Sequence, residues 1–182
     1  MTRKTFSFIL TTLALVLLIV GLVLLSLDCG KLSVEASGTT IEEGTISGYD
    51  AIFGNKRYEF NVVNFITFMV VLLVVGLLAL RLTLKFLNKN EKLINVIGII
   101  AGILALVCGI MLILIPKFAT KSDDFKALLD QAKLYYHAEI HESIKIGIIL
   151  TGIASICAGI FEFIDVFALK LFYAKKESVV EE

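Results

Sequence analysis

The sequence predicts an all-α membrane protein, a bundle of four transmembrane helices with a small extracytoplasmic β-rich loop and an amphipathic outer helix. Four long apolar runs carry this prediction, because each is about as long as the ~20 residues that a helix needs to cross a bilayer. The composition agrees, since 58% of the 182 residues are hydrophobic and the mean hydropathy is +0.91. Backbone N–H and C=O groups in lipid need hydrogen-bond partners within the protein, so a membrane-spanning segment is either a helix or a strand of a closed barrel. Barrel strands are about 10 residues long and alternate polar and apolar side chains, which these runs do not, so the runs are predicted to be helices.

The first apolar run, 6–27, is predicted to be a retained membrane anchor. It follows Arg3 and Lys4, as the apolar region of a secretory signal does, but it exceeds the usual ~7–15 residues of that region. Asp28 also stands where a small residue would precede Cys29 in a lipoprotein cleavage site. We therefore expect the first run to remain in the membrane as a span.

The next segment, 28–61, is predicted to be an outer loop that forms a small antiparallel sheet. Residues 31–36 alternate polar and apolar side chains, a pattern typical of a half-buried strand. The β-prone segments 49–53 and 58–60 follow, with a turn signal at Gly54 between them. The alternative is a flexible loop.

Three further apolar runs predict the remaining spans. The predicted segments are spans at 62–84, 93–116 and 144–170, an inner loop at 85–92 and an inner tail at 171–182. Pro116 ends the third span, where a helix can stop without losing an internal hydrogen bond. Cys108 and Cys157 fall inside spans, where cysteine usually behaves as a small hydrophobe, so a disulfide framework is not expected.

The second outer loop is predicted to hold an amphipathic helix at 122–142. Ser122 can cap this helix, and two aspartates follow in the first turn, where the helix dipole favours negative charge. Apolar residues then recur at spacings of three and four from Phe125 to Ile140. Such a stripe suits a helix that lies along the membrane interface or continues into the fourth span.

Two histidines on this predicted helix are candidate metal ligands. His137 and His141 are four residues apart, which places both imidazoles on one helical face and permits zinc chelation, with Asp130 as a third candidate ligand. Glu139 does not follow the first histidine directly, so the metalloprotease pattern is absent. The alternative is a solvated polar face. No cofactor is required, and zinc is the one candidate.

Two acidic residues in the fourth span are candidate functional groups. Glu162 and Asp165 lie one helical turn apart in its inner half, and an ionisable residue at membrane depth is a functional hypothesis because its desolvation is costly. Glu162 is expected either to pair with Arg81 at the inner end of the second span or to carry a proton or cation.

Small residues recur along the third and fourth spans at helical spacing. The candidate packing positions are Gly98, Gly102, Ala105 and Gly109 in the third span, with Gly147, Thr151, Ala154, Ala158 and, on a neighbouring stripe, Gly152, Ser155 and Gly159 in the fourth. Small faces let helix backbones approach closely in lipid. We expect these two helices to pack together, with one small face of the fourth available to a second subunit.

The distribution of basic residues predicts that both termini are cytoplasmic. With the N-terminus inside, the short inner segments carry Arg3, Lys4, Arg81, Lys85, Lys89, Lys92, Lys170, Lys175 and Lys176. Basic residues in short loops near helix ends mark the cytoplasmic side. The formal net charge is zero and no basic patch with interleaved aromatic residues occurs, so nucleic acid is not an expected partner.

One short segment of the first outer loop carries a family resemblance. The string Ile-Ser-Gly-Tyr-Asp-Ala-Ile-Phe-Gly at 46–54 resembles an outer-loop segment of uncharacterised small four-span integral membrane proteins of Gram-positive-type bacteria. The resemblance covers this stretch and the general layout. It implies a bacterial plasma membrane and no particular activity.

These observations predict a non-enzymatic interaction or accessory subunit of the cell envelope that uses its outer loops as a contact surface. Its partners would be the lipid bilayer and a second copy of the chain or another membrane protein. No phosphate-binding glycine loop, nucleophile elbow or acyl-transfer triad is present. One alternative is a small transporter or ion-coupled protein that uses Glu162 and Asp165, and another is a metal-binding envelope protein.

Overall fold

The computed structural model describes residues 3–36, 39–88 and 90–168. Helices account for 74% of the structure, and a small three-stranded sheet accompanies them. Four helices are long and apolar enough to cross a membrane. This confirms the predicted helical class, and the four apolar helices indicate a multi-pass membrane protein. The predicted inner tail, 171–182, and the last two residues of the predicted fourth span lie outside the described residues.

The elements follow one another along the chain with short connections. In order they are α1 (Arg3–Leu24), β1 (Asp28–Ala36), β2 (Thr39–Ser47), α2 (Gly48–Phe53), α3 (Val62–Phe86), α4 (Glu91–Phe118), α5 (Asp123–Tyr136), β3 (Glu139–Ile144) and α6 (Ile146–Phe163). A π-helical turn, Ile164–Ala168, continues α6. The candidate membrane spans lie in α1, α3, α4 and in α6 with its π-helical turn.

The chain divides into two compact units. The first, here called the helical unit, is formed by the described residues within Met1–Gly21, Met69–Ile110 and Ile153–Glu182. The second, here called the sheet unit, is formed by Leu22–Phe68 and Met111–Gly152. The four long helices contribute residues to both units, whereas all three strands belong to the sheet unit.

The core of the helical unit is built mainly from alanine, leucine and valine. Its buried members are Ala14, Leu18, Val74, Leu78, Ala101, Ala105 and Ala158. Alanines at these contacts let the helix backbones approach closely, which favours helix association in lipid. Large apolar side chains such as Leu73 and Val107 are exposed on the outer helix faces. A water-soluble protein rarely exposes apolar surface on that scale, and these faces suit lipid contact.

The sheet unit combines strands from both long loops. Its strand order is β2-β1-β3, and β1 pairs antiparallel with each neighbour. Leu32 of β1 lies opposite Gly44 of β2 and Glu142 of β3, which sets the register. The core of this unit contains Leu32, Val34, Phe125, Leu129 and Ala138, so α5 packs on the sheet. The predicted sheet therefore exists, but its third strand comes from the second loop.

The segment 49–53 is helical, which corrects its assignment as a β-prone strand. The Ser47 Oγ accepts a hydrogen bond from the Asp50 backbone N–H at 3.1 Å, and the Asp50 carboxylate accepts one from the Ser47 N–H at 3.3 Å. This reciprocal capping box starts α2 directly after β2. Gly54 ends the helix with a φ of 82°, a conformation that side-chain-bearing residues rarely adopt.

The outer amphipathic helix is shorter than the predicted 122–142. Ser122 caps it as expected, with its Oγ accepting from the Phe125 N–H at 3.4 Å, but α5 ends at Tyr136. His137 then adopts a left-handed conformation with a φ of 48°. Residues after it form β3, because pairing with β1 satisfies their backbone groups. The helical stripe predicted to reach Ile140 is wrong beyond this point.

Candidate functional site

A buried cluster of charged side chains lies in the helical unit. Arg81 and Lys85 are one turn apart on α3, Glu162 lies near the end of α6, and Asp165 lies in the π-helical turn. Arg81, Glu162 and Asp165 have side chains that are at most 1% exposed, and the Lys85 side chain is 10% exposed. Thr11 of α1 is fully buried beside them.

Both acidic side chains are paired with basic ones. The Arg81 guanidinium contacts the Glu162 carboxylate through Nη1 and the Asp165 carboxylate through Nη2, the latter at 2.8 Å. The Lys85 Nζ lies 2.5 Å from the same Asp165 Oδ2. Pairing with Arg81 was one of the two alternatives for Glu162, and it is the arrangement found. The cluster contains two formal positive and two formal negative charges, so it is balanced.

Neutral groups extend the network to the other helices of the unit. The Arg81 Nε donates to the backbone carbonyl of Ile94 on α4 at 3.0 Å. The Thr11 hydroxyl accepts from Lys85 Nζ at 2.5 Å and donates to Asp165 Oδ2 at 3.4 Å. Segments of α1, α3, α4 and α6 therefore meet at one set of polar contacts. A buried charge without such partners would cost several kcal/mol of desolvation, on the order of 3–5 kcal/mol when one partner is removed.

Two carboxylate oxygens of the cluster are left without a donor. Asp165 Oδ1 and Glu162 Oε1 are buried and accept no hydrogen bond from any residue that the structure describes. A carboxylate has acceptor capacity on both oxygens. The formal charges of the cluster are thus balanced, but its hydrogen bonding is incomplete. The atoms that lack a hydrogen-bond donor are both carboxylate oxygens.

A cavity of about 970 Å³ adjoins the cluster, and Lys85 and Asp165 form part of its wall. The remainder of the wall comes from residues near the start of α1, the end of α3 and the start of α4, all within the helical unit. It is lined by both polar and apolar side chains, including Lys4 and Phe8.

Gly98 has a different role from the one predicted for it. A Cβ atom at this position would lie 2.6 Å from Arg81 Nη2 and 2.7 Å from Arg81 Nε. Such contacts are closer than atoms can approach, so only glycine leaves room for the guanidinium at this place on α4. The residue predicted for helix packing therefore makes space for the charge cluster.

The expected packing between α4 and α6 begins about one turn after Gly98 on α4, at Gly102. A Cβ at Gly159 would lie 2.9 Å from the Gly102 carbonyl oxygen, and the Ser155 hydroxyl donates to the Ala105 carbonyl at 2.8 Å. These contacts join small positions of the two helices within the helical unit. Gly109 and Gly152 are also buried.

The second small face of α6 is covered by the chain itself. Ala154 and Ala158 are buried, and Ala158 belongs to the core of the helical unit. In the sheet unit, Thr151 donates to the Gly147 carbonyl at 2.9 Å, and a Cβ at Gly147 would lie 2.9 Å from the Asp28 carbonyl oxygen. These small positions are buried within the chain, and contact of α6 with a second subunit stays a prediction.

The two histidines do not share a helical face, which corrects the predicted chelate geometry. His137 is the C-terminal cap of α5, and His141 lies on β3, where its Nε2 is 3.5 Å from a Glu139 carboxylate oxygen. Asp130 lies on α5. Among the described residues, no group of three histidine, cysteine, aspartate or glutamate side chains is placed to hold a metal ion. Zinc binding stays a prediction without its original geometric basis.

The cysteines are free thiols in apolar surroundings. Cys29 of β1 and Cys108 of α4 are buried, and Cys157 is half-buried. Burial raises the pKa of the Cys29 thiol to about 12. The thiolate is the nucleophilic form, so Cys29 is held unreactive at neutral pH.

Sequence reasoning found three of the five side chains in the cluster and missed Lys85 and Thr11. Lys85 was assigned to the inner loop 85–92, whereas α3 continues to Phe86 and keeps Lys85 on the helix. Its spacing of four residues from Arg81 was the available signal, because such pairs share a helical face. Comparison with protein-family models, with curated proteins and with solved structures finds no significant match for this chain.

Proposed function

We propose that the protein is a non-enzymatic interaction or accessory subunit of the cell envelope, with the sheet unit as its contact surface. In this proposal the chain is a multi-pass protein of the plasma membrane, and both termini are cytoplasmic. The distribution of basic residues supports that orientation. For their length, the short inner segments (before the first span, between the second and third spans, and after the fourth) are richer in basic residues than the long outer loops. The two long loops that build the sheet unit would then face outwards.

The observation that carries this proposal is a set of exposed apolar side chains on α5. Leu128, Leu134, Tyr135 and Tyr136 are 62%, 70%, 72% and 65% exposed. The sheet unit has its own core, to which α5 contributes Phe125 and Leu129, and the four exposed side chains do not belong to it. Exposed apolar clusters mark interaction sites, and tyrosine is enriched in protein interfaces.

Site-specific photocrosslinking in native membranes tests this proposal. A benzophenone amino acid replaces Tyr135 in one variant and Lys133, an exposed polar residue on another face of the same helix, in a matched control. We expect a single protein adduct of defined mass from position 135, at several times the yield from position 133. Equal yields at the two positions, or adducts with lipid alone, would contradict a protein contact surface on α5.

A second measurement distinguishes a specific partner from a protein that is crosslinked only because it is abundant nearby. Native mass spectrometry of the purified protein should detect the same partner at a fixed ratio. Replacing Leu134 and Tyr135 by serine should reduce the bound fraction about tenfold or more, because a central interface anchor contributes about 2 kcal/mol or more. The control Lys133→Ser, on another face of α5, should leave it unchanged. Retention of the partner by the double variant would refute the assigned surface.

Ion-coupled transport through Glu162 and Asp165 is the second candidate function. Its support is the placement of Asp165 in the wall of the cavity. The pairing of both carboxylates with Arg81 and Lys85 counts against it, because a transported cation would have to compete with two resident positive charges. Glu162→Gln should abolish uptake into reconstituted vesicles if this function is correct, and unchanged uptake would exclude Glu162 as the coupling group.

A further inference from the structure

We propose that the outer edge of β3 binds an extended peptide segment of another protein, which adds to the sheet as a fourth strand and carries a basic side chain on one face. Three observations support this inference: the backbone groups that point outward from β3, the regular ladder of this strand, and two glutamates that lie opposite each other. This edge is separate from the exposed side chains of α5, and the inference stands without the partner proposed for them.

Alternate residues of β3 turn their backbone groups away from β1. The Lys145 N–H donates to the Cys29 carbonyl at 2.9 Å, so these two residues form a hydrogen-bonded pair that continues the antiparallel ladder. Hydrogen-bonded and non-hydrogen-bonded pairs alternate along such a ladder. The N–H and C=O groups of Ile140, Glu142 and Ile144 therefore point outward, and no described residue forms a hydrogen bond with them. An added strand would supply these bonds.

The edge of β3 lacks the usual devices that prevent strand addition. Proteins protect sheet edges with bulges, prolines and lysines. The β1–β3 ladder runs without a register shift, whereas the β1–β2 ladder shifts twice. The strand Glu139–Ile144 contains neither proline nor lysine, and five of its six residues are exposed. The edge of β3 is therefore regular and accessible.

The charges on one face of the sheet favour a basic segment. Glu139 lies directly opposite Glu35 of β1, and its side chain is 80% exposed. Like charges opposite each other on a sheet are destabilising. Neither glutamate pairs with a lysine or arginine of the described part of the chain, although His141 Nε2 lies 3.5 Å from the Glu139 carboxylate. A basic side chain on an added strand would lie next to Glu139 and reduce its repulsion from Glu35.

The other end of β3 limits where that basic side chain can lie. Ser143 is opposite Lys31, so a positive charge beside Ser143 would be repelled. Ile144, on the face of the sheet that packs on α5, is 39% exposed. The segment that fits has apolar side chains on that face. On the other face it has a basic side chain near Glu139 and an uncharged polar one near Ser143.

Fluorescence anisotropy with synthetic peptides tests the proposal on the purified full-length protein in a neutral detergent. The probe is a labelled hexapeptide in which valine alternates with polar residues, one of them lysine. The control peptide has glutamate in place of this lysine. We expect the lysine peptide to bind about fivefold tighter or more, because an opposite-charge pair across the strands replaces a like-charge pair. Equal affinities, or no binding of the lysine peptide at millimolar concentration, would overturn the proposal.

Peptides with blocked backbone donors separate strand addition from attraction between charges. In two versions of the lysine peptide, alternate amides are N-methylated along one edge or along the other, which keeps every charge. Only the version that is methylated on the edge facing β3 should lose affinity, by about tenfold or more, since each backbone hydrogen bond contributes about 1 kcal/mol. Which version loses affinity reports the direction of the added strand. Equal affinities of the two versions would overturn strand addition.

A proline variant tests the outward backbone groups of β3. Ile144→Pro removes an N–H that the ladder with β1 does not use, whereas the control Ile144→Ala removes the side chain and keeps the N–H. The proline variant should bind the lysine peptide about threefold or more weaker than the alanine variant. Hydrogen exchange of the β1 amides should be alike in both variants, which shows that the ladder is intact. Equal peptide affinities would contradict bonding at this edge.

A pair of glutamate variants tests the charge and leaves the backbone unchanged. Glu139→Gln should weaken binding of the lysine peptide several-fold. Glu59→Gln changes an exposed glutamate of the sheet unit outside the strand ladder, and it should leave the affinity unchanged. An equal loss from both variants would assign the effect to general surface charge and contradict the site.

A second copy of the chain is the competing occupant of this edge. Native mass spectrometry of the protein without peptide decides between the two. A dimer that the lysine peptide and Ile144→Pro both dissociate would assign the edge to a second copy and overturn the proposal. A monomer, or a dimer that binds the peptide and stays intact, would support a segment of another protein.

Discussion

The helical unit and the sheet unit both contain ion pairs, and the two sets lie in opposite environments. In the helical unit, Arg81, Glu162 and Asp165 have side chains that are at most 1% exposed. In the sheet unit, the Lys126–Asp123 pair has side chains that are 48% and 90% exposed. The same chemistry therefore has different consequences. A buried charge depends on its partner because desolvation is costly, whereas an exposed charge is solvated with or without one.

The two units also differ in the contacts that hold their distant segments together. The helical unit joins distant segments through polar contacts to a single guanidinium, and a glycine makes room for it. The sheet unit joins its two loops by a strand ladder and an apolar core. Loss of one group should therefore be severe in the helical unit and mild in the sheet unit.

The largest effect should follow from Arg81→Met. This change leaves the Glu162 and Asp165 carboxylates buried with Lys85 as their one remaining basic partner in the cluster, and it should lower the free energy of unfolding by about 3–5 kcal/mol. Unfolding by sodium dodecyl sulfate, followed by circular dichroism of the protein in mild detergent, measures it. Arg81→Lys keeps the charge but not the planar double contact, so its loss should be intermediate.

A triple variant that also removes the acidic charges separates the cost of burying an unpaired charge from the net stabilisation that the ion pair provides. Adding Glu162→Gln and Asp165→Asn to Arg81→Met removes the buried negative charges and should recover part of the lost stability. A triple variant that is less stable than Arg81→Met alone would show that desolvation of the acids is not what Arg81 offsets.

The next effect in size should come from Gly98→Ala. The added methyl group would overlap the Arg81 guanidinium and force the cluster to shift, at a cost of about 1–3 kcal/mol. Gly76→Ala is a matched control on α3, because a Cβ at Gly76 meets no atom within 4 Å. The control should be neutral or gain up to about 1 kcal/mol from helix propensity. Equal losses from both substitutions would argue against a specific role for Gly98.

Much of the helical unit could be predicted from the sequence, for a physical reason. Bilayer thickness and backbone hydrogen bonding leave one interpretation for runs of apolar residues this long. Charged residues inside such a run need partners, so Arg81 and Glu162 could be matched by their common depth. Hydropathy alone does not define where α3 ends, so Lys85 falls in the predicted inner loop, although its spacing of four residues from Arg81 places both side chains on one helical face.

The sheet unit was less predictable because its local patterns are ambiguous. Phe125, Leu129 and Ile140 fit one helical stripe, yet Ile140 lies opposite Val34 in the strand ladder. The switch at His137 requires a left-handed backbone, which histidine adopts more often than most residues but which its type alone does not predict. Pairing between strands whose partner residues, such as Glu35 and Glu139, are more than 100 positions apart in sequence is a tertiary effect, and it overrides local helix propensity.

A smaller effect is expected from Ser122→Ala in the sheet unit. The Ser122 Oγ accepts from the Phe125 N–H at 3.4 Å, and its loss leaves a backbone donor at the start of α5 to solvent. N-terminal caps of this kind contribute about 1 kcal/mol. Hydrogen exchange of the first-turn amides of α5, read by mass spectrometry, should quicken about fivefold. Ser122→Asp retains a capping oxygen and should exchange as the native protein does. The Ser122 hydroxyl also donates to the Lys56 carbonyl at 3.2 Å, and faster exchange in Ser122→Asp would assign the effect to this second contact.

The smallest effect should come from Lys126→Gln, although its ion pair with Asp123 has good geometry at 2.9 Å. The hydrogen bond with Asp123 raises the pKa of Lys126 above its usual value, so the favourable contact is complete at neutral pH and is lost only as alkaline pH deprotonates the lysine. Both side chains are exposed, and water replaces the contact at little cost. The melting temperature should therefore match that of Lys133→Gln, a lysine of the same helix without an ion pair among the described residues. If Lys126→Gln instead lowered stability as much as Gly98→Ala, burial would not be what distinguishes the ion pairs of the two units.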